Sequence, residues 1–342
     1  MKKLPVPCLV EVPSKKRQAL WEKIQSSHSL AGLQSNMGLL AVTGLGYTFE
    51  EGRVLTVAFN GGADDLRTDI ANWSKEWEQY ANIKFEFGRD DNPDEFREWT
   101  TEDKKNKADI RIAFESTEQN SGYWSAIGND IDMFDEKGRP FYAANIPTMN
   151  YEDLRSHTPA KQRAFVLHEF GHAIGFLHEH QSPEQDCDSE FRWLDDLGYN
   201  PGPLNEQEGY APDANGLYPG IYRVMENPPY EWAHEDIDKN MRTLETSYAF
   251  VRTEFDPDSI MKYYYPPWMY YKGEESRCYS SQENMELSEL DKVAAAEAYS
   301  FDEESIQNAL NRKLEAIKKL SESGQASTAE IEFLNKTIGN SH

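Results

Sequence analysis

The chain of 342 residues predicts an α+β fold, and three patterns in its sequence indicate this. An apolar run at 54–59 and alternating apolar residues at 83–87 and 108–114 are typical of β-strands. Large apolar residues at helical spacing predict an α-helix over 64–80, between the first two strands. A second helix is predicted to begin at 158–159, because threonine caps a helix and proline suits its first position.

The second half of the chain predicts a long irregular segment between shorter elements. A strand is expected at 147–151, before the second helix. Proline, glycine, asparagine and acidic residues crowd 181–229, and a loop of that length within a compact domain usually serves function. Further helices are expected at 237–250 and 288–299, and the latter begins with serine and aspartate at capping-box spacing.

Composition opposes two classes of function. The formal net charge of -25 at pH 7 opposes binding to nucleic acid, because phosphate groups would be repelled. No apolar run reaches about 18 residues, so membrane insertion is not expected. Aromatic residues make up 12% of the chain, which is typical of a folded protein and not of a disordered one.

The chain start and the cysteines bear on the cellular compartment. Residues 1–10 start as a signal peptide does, but prolines interrupt the apolar stretch and Glu11 ends it, so no signal peptide is predicted. The three cysteines, Cys8, Cys187 and Cys278, allow at most one intramolecular disulfide. Cys187 and Cys278 both follow the second helix and are the expected pair.

The most specific signal is the run at 168–178, which reads H-E-x-x-H-x-x-G-x-x-H. His168 and His172 are four residues apart, so they share one face of a helix. Gly175 can end that helix with a positive φ, and His178 can then supply a third nitrogen. Three protein ligands leave one position open, which is the arrangement of a catalytic site for one Zn²⁺ ion.

Glu169 is the predicted catalytic base of this site. It follows the first histidine directly and can reach a water that zinc activates by lowering its pKa to about 7. Glu169 would take a proton from that water and pass it to the leaving amine. The alternative is a helix without a metal site, whose histidine side chains form hydrogen bonds with carboxylates or solvent. A closed structural zinc site is disfavoured, since no cysteine lies near enough in sequence.

The run is the long metzincin motif, and its surroundings resemble the astacin family. Phe176 precedes the third histidine by two residues, and Glu179 follows it directly, as in the astacin pattern G-F-x-H-E. The residues at 259–263 resemble the astacin Met-turn, S-x-M-H-Y, with Lys262 in place of the usual histidine. The resemblance implies a zincin-like metallopeptidase fold, with two subdomains, a twisted mixed sheet and an active-site zinc helix.

The same resemblance implies a domain organisation. A metzincin catalytic domain is expected over 51–300, with an upper subdomain at about 51–180 and a lower one at about 181–300. Residues 1–50 form an N-terminal extension that can serve as a pro-segment, and residues 301–342 form a helical appendage. The edge strand that holds substrate in the family is expected between residues 122 and 146.

Further roles are carried over from the family residue by residue. Tyr263 is the expected second catalytic residue, which donates to the oxyanion, although aromatic packing of Tyr263 and its two tyrosine neighbours is the alternative. Met261 is expected to pack beneath the zinc ligands. Glu179 either holds a new N-terminus or forms a surface salt bridge. His157 and His180 fall outside the motif spacing and are expected to be solvated or structural.

The leading functional prediction is a zinc-dependent endopeptidase that acts on a peptide or protein substrate. A matrixin-like peptidase, a non-proteolytic zinc-binding toxin or adhesion module, and hydrolysis of a non-peptide amide are the alternatives. Residues such as Asp186, Asp188 and Glu190 would favour basic substrate side chains unless they lie in a solvated loop. The sequence leaves the cleavage preference and the oligomeric state open.

Overall fold

The computed structural model describes residues 43–44, 47–116, 122–132, 134, 139–182, 185–200, 212–227, 230–243, 250–251, 255–302 and 304. Most of the predicted N-terminal extension, including Cys8, and most of the C-terminal appendage lie outside these residues. Within the described part of the chain, no helix has the length and apolar character needed to cross a membrane.

Seven strands form two sheets within the described residues. They are β1 (Thr43–Gly44), β2 (Val54–Phe59), β3 (Lys84–Glu86), β4 (Ile110–Ala113), β5 (Tyr123–Ser125), β6 (Met149–Tyr151) and β7 (Phe250–Val251). The larger sheet has the order β3-β2-β4-β6-β5, and β1 pairs with β7 in a small second sheet. The four strands predicted at 54–59, 83–87, 108–114 and 147–151 are β2, β3, β4 and β6.

The larger sheet is mixed because its last strand runs against the others. β3, β2, β4 and β6 run parallel to one another, whereas β5 pairs antiparallel with β6 and places Tyr123 opposite Tyr151. Among the described residues, β6 is the one strand that pairs with β5, so β5 forms an edge. This strand lies within the range in which a substrate-binding edge strand was expected.

Five α-helices accompany the sheets among the described residues. They are α1 (Asp64–Ser74), α2 (Pro159–Ala173), α3 (Ile221–Met225), α4 (His234–Met241) and α5 (Glu289–Ala298). Short 3₁₀ segments lie at Trp77–Gln79, Gly128–Asp132, Leu154–Ser156, Glu179–Gln181, Pro267–Met269 and Gly273–Glu275. The predicted helix over 64–80 therefore ends early and passes into the first of these 3₁₀ segments.

α2 is the helix that carries the histidine motif, and local sequence determines where it begins. The Thr158 side chain accepts the backbone N–H of Lys161, and Pro159 occupies the first helical position. The helix packs against α1 and β5. Its Phe170 ring meets Phe85 of β3 edge to face at 4.9 Å, which places α2 on the apolar face of the sheet.

A second apolar core lies in the chain segments after α2. The expected disulfide between Cys187 and Cys278 is present and belongs to this core. The prediction of irregular structure over 181–229 is wrong at α3, where Ile221 and Met225 bury one face of a short helix against the second core. Apolar residues at helical spacing mark α3 in the sequence, but proline and glycine nearby obscure them.

The helix predicted at 237–250 is also only partly correct. α4 begins earlier, at His234, and ends at Met241, because Arg242 has an extended backbone. Phe250 and Val251, at the far end of the predicted helix, pair as a strand with Thr43 and Gly44. Pairing with a strand more than 200 residues away in the chain overrides a local helical pattern.

Candidate active site

The structure brings the three motif histidines together at the end of α2. The Nε2 atom of His172 lies 3.1 Å from Nε2 of His168 and 3.1 Å from Nε2 of His178. All three rings are buried. A tetrahedral zinc ion with bonds of about 2.0–2.1 Å holds two nitrogens roughly 3.4 Å apart, so this spacing suits one zinc ion.

Backbone carbonyls determine which ring nitrogen faces the metal position. Nδ1 of His168 lies 2.8 Å from the Ile260 carbonyl oxygen, and Nδ1 of His172 lies 2.7 Å from that of Phe176. A carbonyl can only accept a hydrogen bond, so each Nδ1 carries the proton and donates it. Each Nε2 is therefore left with the lone pair that a metal requires.

Burial also favours the protonation state that metal binding needs. It lowers the pKa of His168 to about 4 and holds the pKa values of His172 and His178 well below their usual range. The rings are therefore neutral at neutral pH before any metal binds. Neutral imidazole is the form that ligates zinc.

Two glycines in the motif let the chain pass close to other backbone and side-chain atoms. A Cβ on Gly171 would lie 2.4 Å from Sδ of Met261, which packs against α2 at this point. Gly175 has φ +99, and a Cβ there would lie 3.0 Å from the Tyr47 carbonyl oxygen. The positive φ agrees with the prediction that Gly175 ends the helix and returns the chain.

The two predicted catalytic residues lie beside the histidine cluster. Glu169 is 1% exposed and lines the same pocket as His168 and Tyr263. The Tyr263 ring lies 4.2 Å from the His178 ring and is stacked at 5.5 Å on the His168 ring. Of the two neighbouring tyrosines, Tyr265 is buried and its hydroxyl lies 3.3 Å from Nε2 of His180, a non-motif histidine.

Residues outside the motif hold the Met-turn against the zinc helix. The buried Asp291 accepts hydrogen bonds from the Ser259 hydroxyl at 2.7 Å and from the Ile260 backbone N–H at 2.8 Å. Ile260 is the residue whose carbonyl orients His168. Asp291 also forms the predicted capping box with Ser288, so one carboxylate both caps α5 and positions the Met-turn. Sequence analysis found the cap and missed the second role.

Glu179 and Lys262 are also buried near the Met-turn. Oε1 of Glu179 accepts the backbone N–H of Asp256 at 2.9 Å, and the side chain is almost fully enclosed. The expectation of a surface salt bridge at Glu179 is therefore wrong. Lys262 donates to the Ser280 hydroxyl at 2.9 Å, and burial lowers its pKa to about 8. His180 is structural, since Nε2 lies 2.9 Å from the Asn240 carbonyl oxygen.

Similarity to solved structures agrees with this geometry. No protein-family model and no curated protein matches the chain. The chain is similar to the solved structure of myroilysin at 25% identity and a TM-score of 0.52, over 76% of this chain and 99% of that one. A second myroilysin structure matches at 24% identity and a TM-score of 0.44, over 86% and 99% of the two chains.

A more distant match is the hatching enzyme zinc-protease HCE-1 of the medaka fish Oryzias latipes. Its identity is 15% and its TM-score 0.38, over 73% of this chain and 93% of that one. The first myroilysin match, together with the motif and the three-histidine group, confirms the predicted zincin-like fold, the astacin-like resemblance and a site for one zinc ion.

Proposed function

We propose that this chain is an astacin-like metzincin, a zinc metalloendopeptidase, and that it hydrolyses peptide bonds with Glu169 as the general base. The observation that carries the proposal is the convergence of three Nε2 atoms at the end of α2, where His168 and the buried Glu169 line one pocket. Zinc, when bound, polarises the scissile carbonyl and makes water acidic enough to attack at neutral pH.

Glu169 moves the proton in this scheme. It adjoins His168 in sequence and shares a pocket wall with it, so its carboxylate stands next to the attacking water. It takes the proton as the water attacks the carbonyl carbon, and then delivers that proton to the leaving amine. Burial of Glu169 keeps bulk water away from this transfer.

Tyr263 is the proposed donor to the developing oxyanion. Its ring lies against the rings of His168 and His178, and these contacts support a role for its hydroxyl near the metal. A hydroxyl donor aimed at the oxyanion typically contributes about 10²–10³-fold to kcat. Tyr263→Phe is the direct test, because it removes the hydroxyl and keeps the ring. Unchanged activity in that variant would favour the matrixin-like alternative.

The edge strand β5 is the proposed site at which substrate backbone binds. Its Tyr123 lines the pocket together with Glu169, so a peptide laid along β5 passes in front of the base. An extended peptide gains affinity from backbone hydrogen bonds when it adds to a sheet edge. The proposed partner is therefore an extended segment of peptide or protein.

The proposed function is tested with metal-replete wild type and Glu169→Gln acting on a denatured protein substrate, with zinc content measured on both. Glu289→Gln, at an exposed position of α5, serves as the matched control. We expect wild type and control to cleave, and Glu169→Gln to keep its zinc and lose at least about 100-fold in rate. Equal cleavage by Glu169→Gln would refute the base assignment.

The Glu169→Gln variant also distinguishes a peptidase from a non-proteolytic zinc-binding protein. A biological effect that survives intact in Glu169→Gln would favour a toxin or adhesion module. Turnover of a small amide without cleavage of any peptide would favour hydrolysis of a non-peptide bond.

We also propose an oxidising compartment for the protein, because a disulfide bond such as Cys187–Cys278 persists there and is rare in the cytosol.

A further inference from the structure

The edge strand β5 is short and is held from one side. It has three residues, and within the described part of the chain it pairs with β6 alone. The ring of Tyr123 stacks at 4.4 Å on the ring of Phe165, in the turn of α2 that precedes His168. This contact fixes one face of β5 relative to α2. A strand so short depends on further contacts at its ends.

Backbone hydrogen bonds show which groups of β5 face the open edge. The carbonyl of Gly122 and the N–H of Ala126 flank the strand, and both bond to the backbone on the β6 side. Hydrogen-bonded and non-bonded positions alternate along an antiparallel pair. The N–H and carbonyl groups of Tyr123 and Ser125 therefore face away from β6, toward the side on which an extended peptide would add.

A buried amide of β6 fixes the start of β5. Nδ2 of Asn150 donates to the carbonyls of Gly122 and Glu115, each at 2.9 Å, and Oδ1 accepts the Glu115 backbone N–H at 2.9 Å. The Asn150 side chain is fully buried, and its one carbonyl and both of its N–H groups are used. Glu115 follows β4, so this amide links the end of β4 to the start of β5 across β6.

Glu152, directly after β6, holds the other backbone group of Gly122. Its Oε2 accepts the Gly122 N–H, and its Oε1 accepts the Ser116 hydroxyl. In a regular antiparallel ladder, a backbone carbonyl of the opposite strand would accept that N–H. Gly122 has φ +73, a conformation that favours glycine. Side chains at two positions, 150 and 152, thus hold both polar backbone groups of the residue that begins β5.

We propose that Asn150 and Glu152 are positioning residues for peptide hydrolysis. They hold Gly122, and through it the outward backbone groups of Tyr123 and Ser125, where an extended substrate backbone pairs with β5. The proposal rests on the proposed function, which it deepens. Neither Asn150 nor Glu152 lines the pocket, so both act through β5 and not by contact at the reacting bond. Their loss should therefore weaken binding of long substrates in particular, because hydrogen bonds to a sheet edge need correct geometry.

The test uses three peptides built around a bond that zinc-loaded wild type cleaves in a denatured protein. The long peptide extends at both ends, so that it can pair along β5 as far as Gly122. The short peptide keeps only the residues at the bond. The third has the long sequence with its outer backbone nitrogens methylated, which removes their N–H donors. We expect wild-type kcat/KM for the long peptide to exceed that for the other two by about 10-fold or more.

Glu152→Ala leaves the Gly122 N–H without its acceptor, and Asn150→Asp turns an acceptor toward the Gly122 carbonyl. We expect each variant to cleave the long peptide with kcat/KM lower by about 10-fold, mainly through KM, and to cleave the short peptide as wild type does. Zinc content should not change. Glu152→Gln keeps an oxygen that can accept the Gly122 N–H, so it should restore most of the long-peptide rate. Glu289→Ala, whose side chain is 89% exposed on α5, is the control that should match wild type.

The outcomes separate this inference from the proposed function. Equal losses on the long and short peptides would assign Asn150 and Glu152 a purely structural role and overturn the inference, while the endopeptidase function would stand. A wild type without preference for the long peptide would overturn it too. If zinc-loaded wild type cleaved no bond in the denatured protein, the proposed function itself would fail.

Thermal unfolding of each variant identifies those that fold. Where Glu152→Ala or Asn150→Asp does not fold, Glu152→Asp takes its place, because it keeps the charge and shortens the reach toward Gly122. It should show the same selective loss on the long peptide. A long-to-short ratio equal to that of wild type in Glu152→Asp would refute the positioning role.

Discussion

Asp291→Ala tests whether the network behind the Met-turn positions a zinc ligand. The Asp291 carboxylate accepts the Ser259 hydroxyl, the Ile260 backbone N–H and the Ser288 backbone N–H at 2.7, 2.8 and 2.9 Å. The Ile260 carbonyl in turn accepts Nδ1–H of His168. Removal of Asp291 therefore leaves three donors unpaired, two of them buried, and loosens the residue that orients a ligand.

The expected loss follows from these contacts. A hydrogen bond to a charged group contributes about 1.5–3 kcal/mol, but the three bonds share one carboxylate and do not add fully. Burial also opposes ionisation and raises the pKa of Asp291 to about 6, which offsets part of the gain. We therefore expect Asp291→Ala to lower the free energy of unfolding by about 3 kcal/mol.

Zinc affinity should fall as well, by about 10-fold or more, as is typical when a partner that orients a metal ligand is lost. Urea unfolding of the metal-free protein gives the first quantity, and competition with a chelator of known affinity gives the second. Glu289→Ala is the control, because Glu289 lies in the same turn of α5 with its side chain 89% exposed. A loss below about 1 kcal/mol together with wild-type zinc affinity would refute the reasoning.

Three further changes probe other parts of the site. Gly171→Ala places a methyl group against Met261, so we expect a loss of about 1–3 kcal/mol by thermal unfolding, whereas an unchanged melting temperature would argue against the close contact. Replacing both Cys187 and Cys278 with serine opens a loop of 91 residues, and urea unfolding should show a loss of about 4–5 kcal/mol; the wild type under reducing conditions should behave alike. Burial lowers the pKa of His168 from 6.5 to about 4, so on acidification this histidine takes up its proton in the unfolded chain before it does so in the folded one. The free energy of unfolding of the metal-free protein should therefore fall as pH falls from 6.5 toward about 4. A pH-independent unfolding free energy across that window would contradict this sign.

The sequence by itself determined the parts of the site that lie close together along the chain. Helical geometry places His168 and His172 on one face whatever surrounds them, and Gly175 supplies the turn that brings back His178. Four of the five strands in the larger sheet, β2, β3, β4 and β6, were also predictable, since short apolar or alternating runs indicate buried strands locally. Thr158 marked the start of the helix because a capping side chain bonds to a backbone N–H only three residues further along the chain.

Only the tertiary structure decided what lies behind and beside the ligands. Asp291 reaches Ile260 across 31 positions of the chain, and Ile260 reaches His168 across 92. Met225 enters the pocket from α3, where the sequence predicted a loop. Such contacts depend on how distant segments of the chain pack together. The spacing of residues along the sequence does not reveal that packing. Local periodicity therefore predicted the three clustered histidines, whereas chain folding selected the residues that orient them and line the pocket beside them.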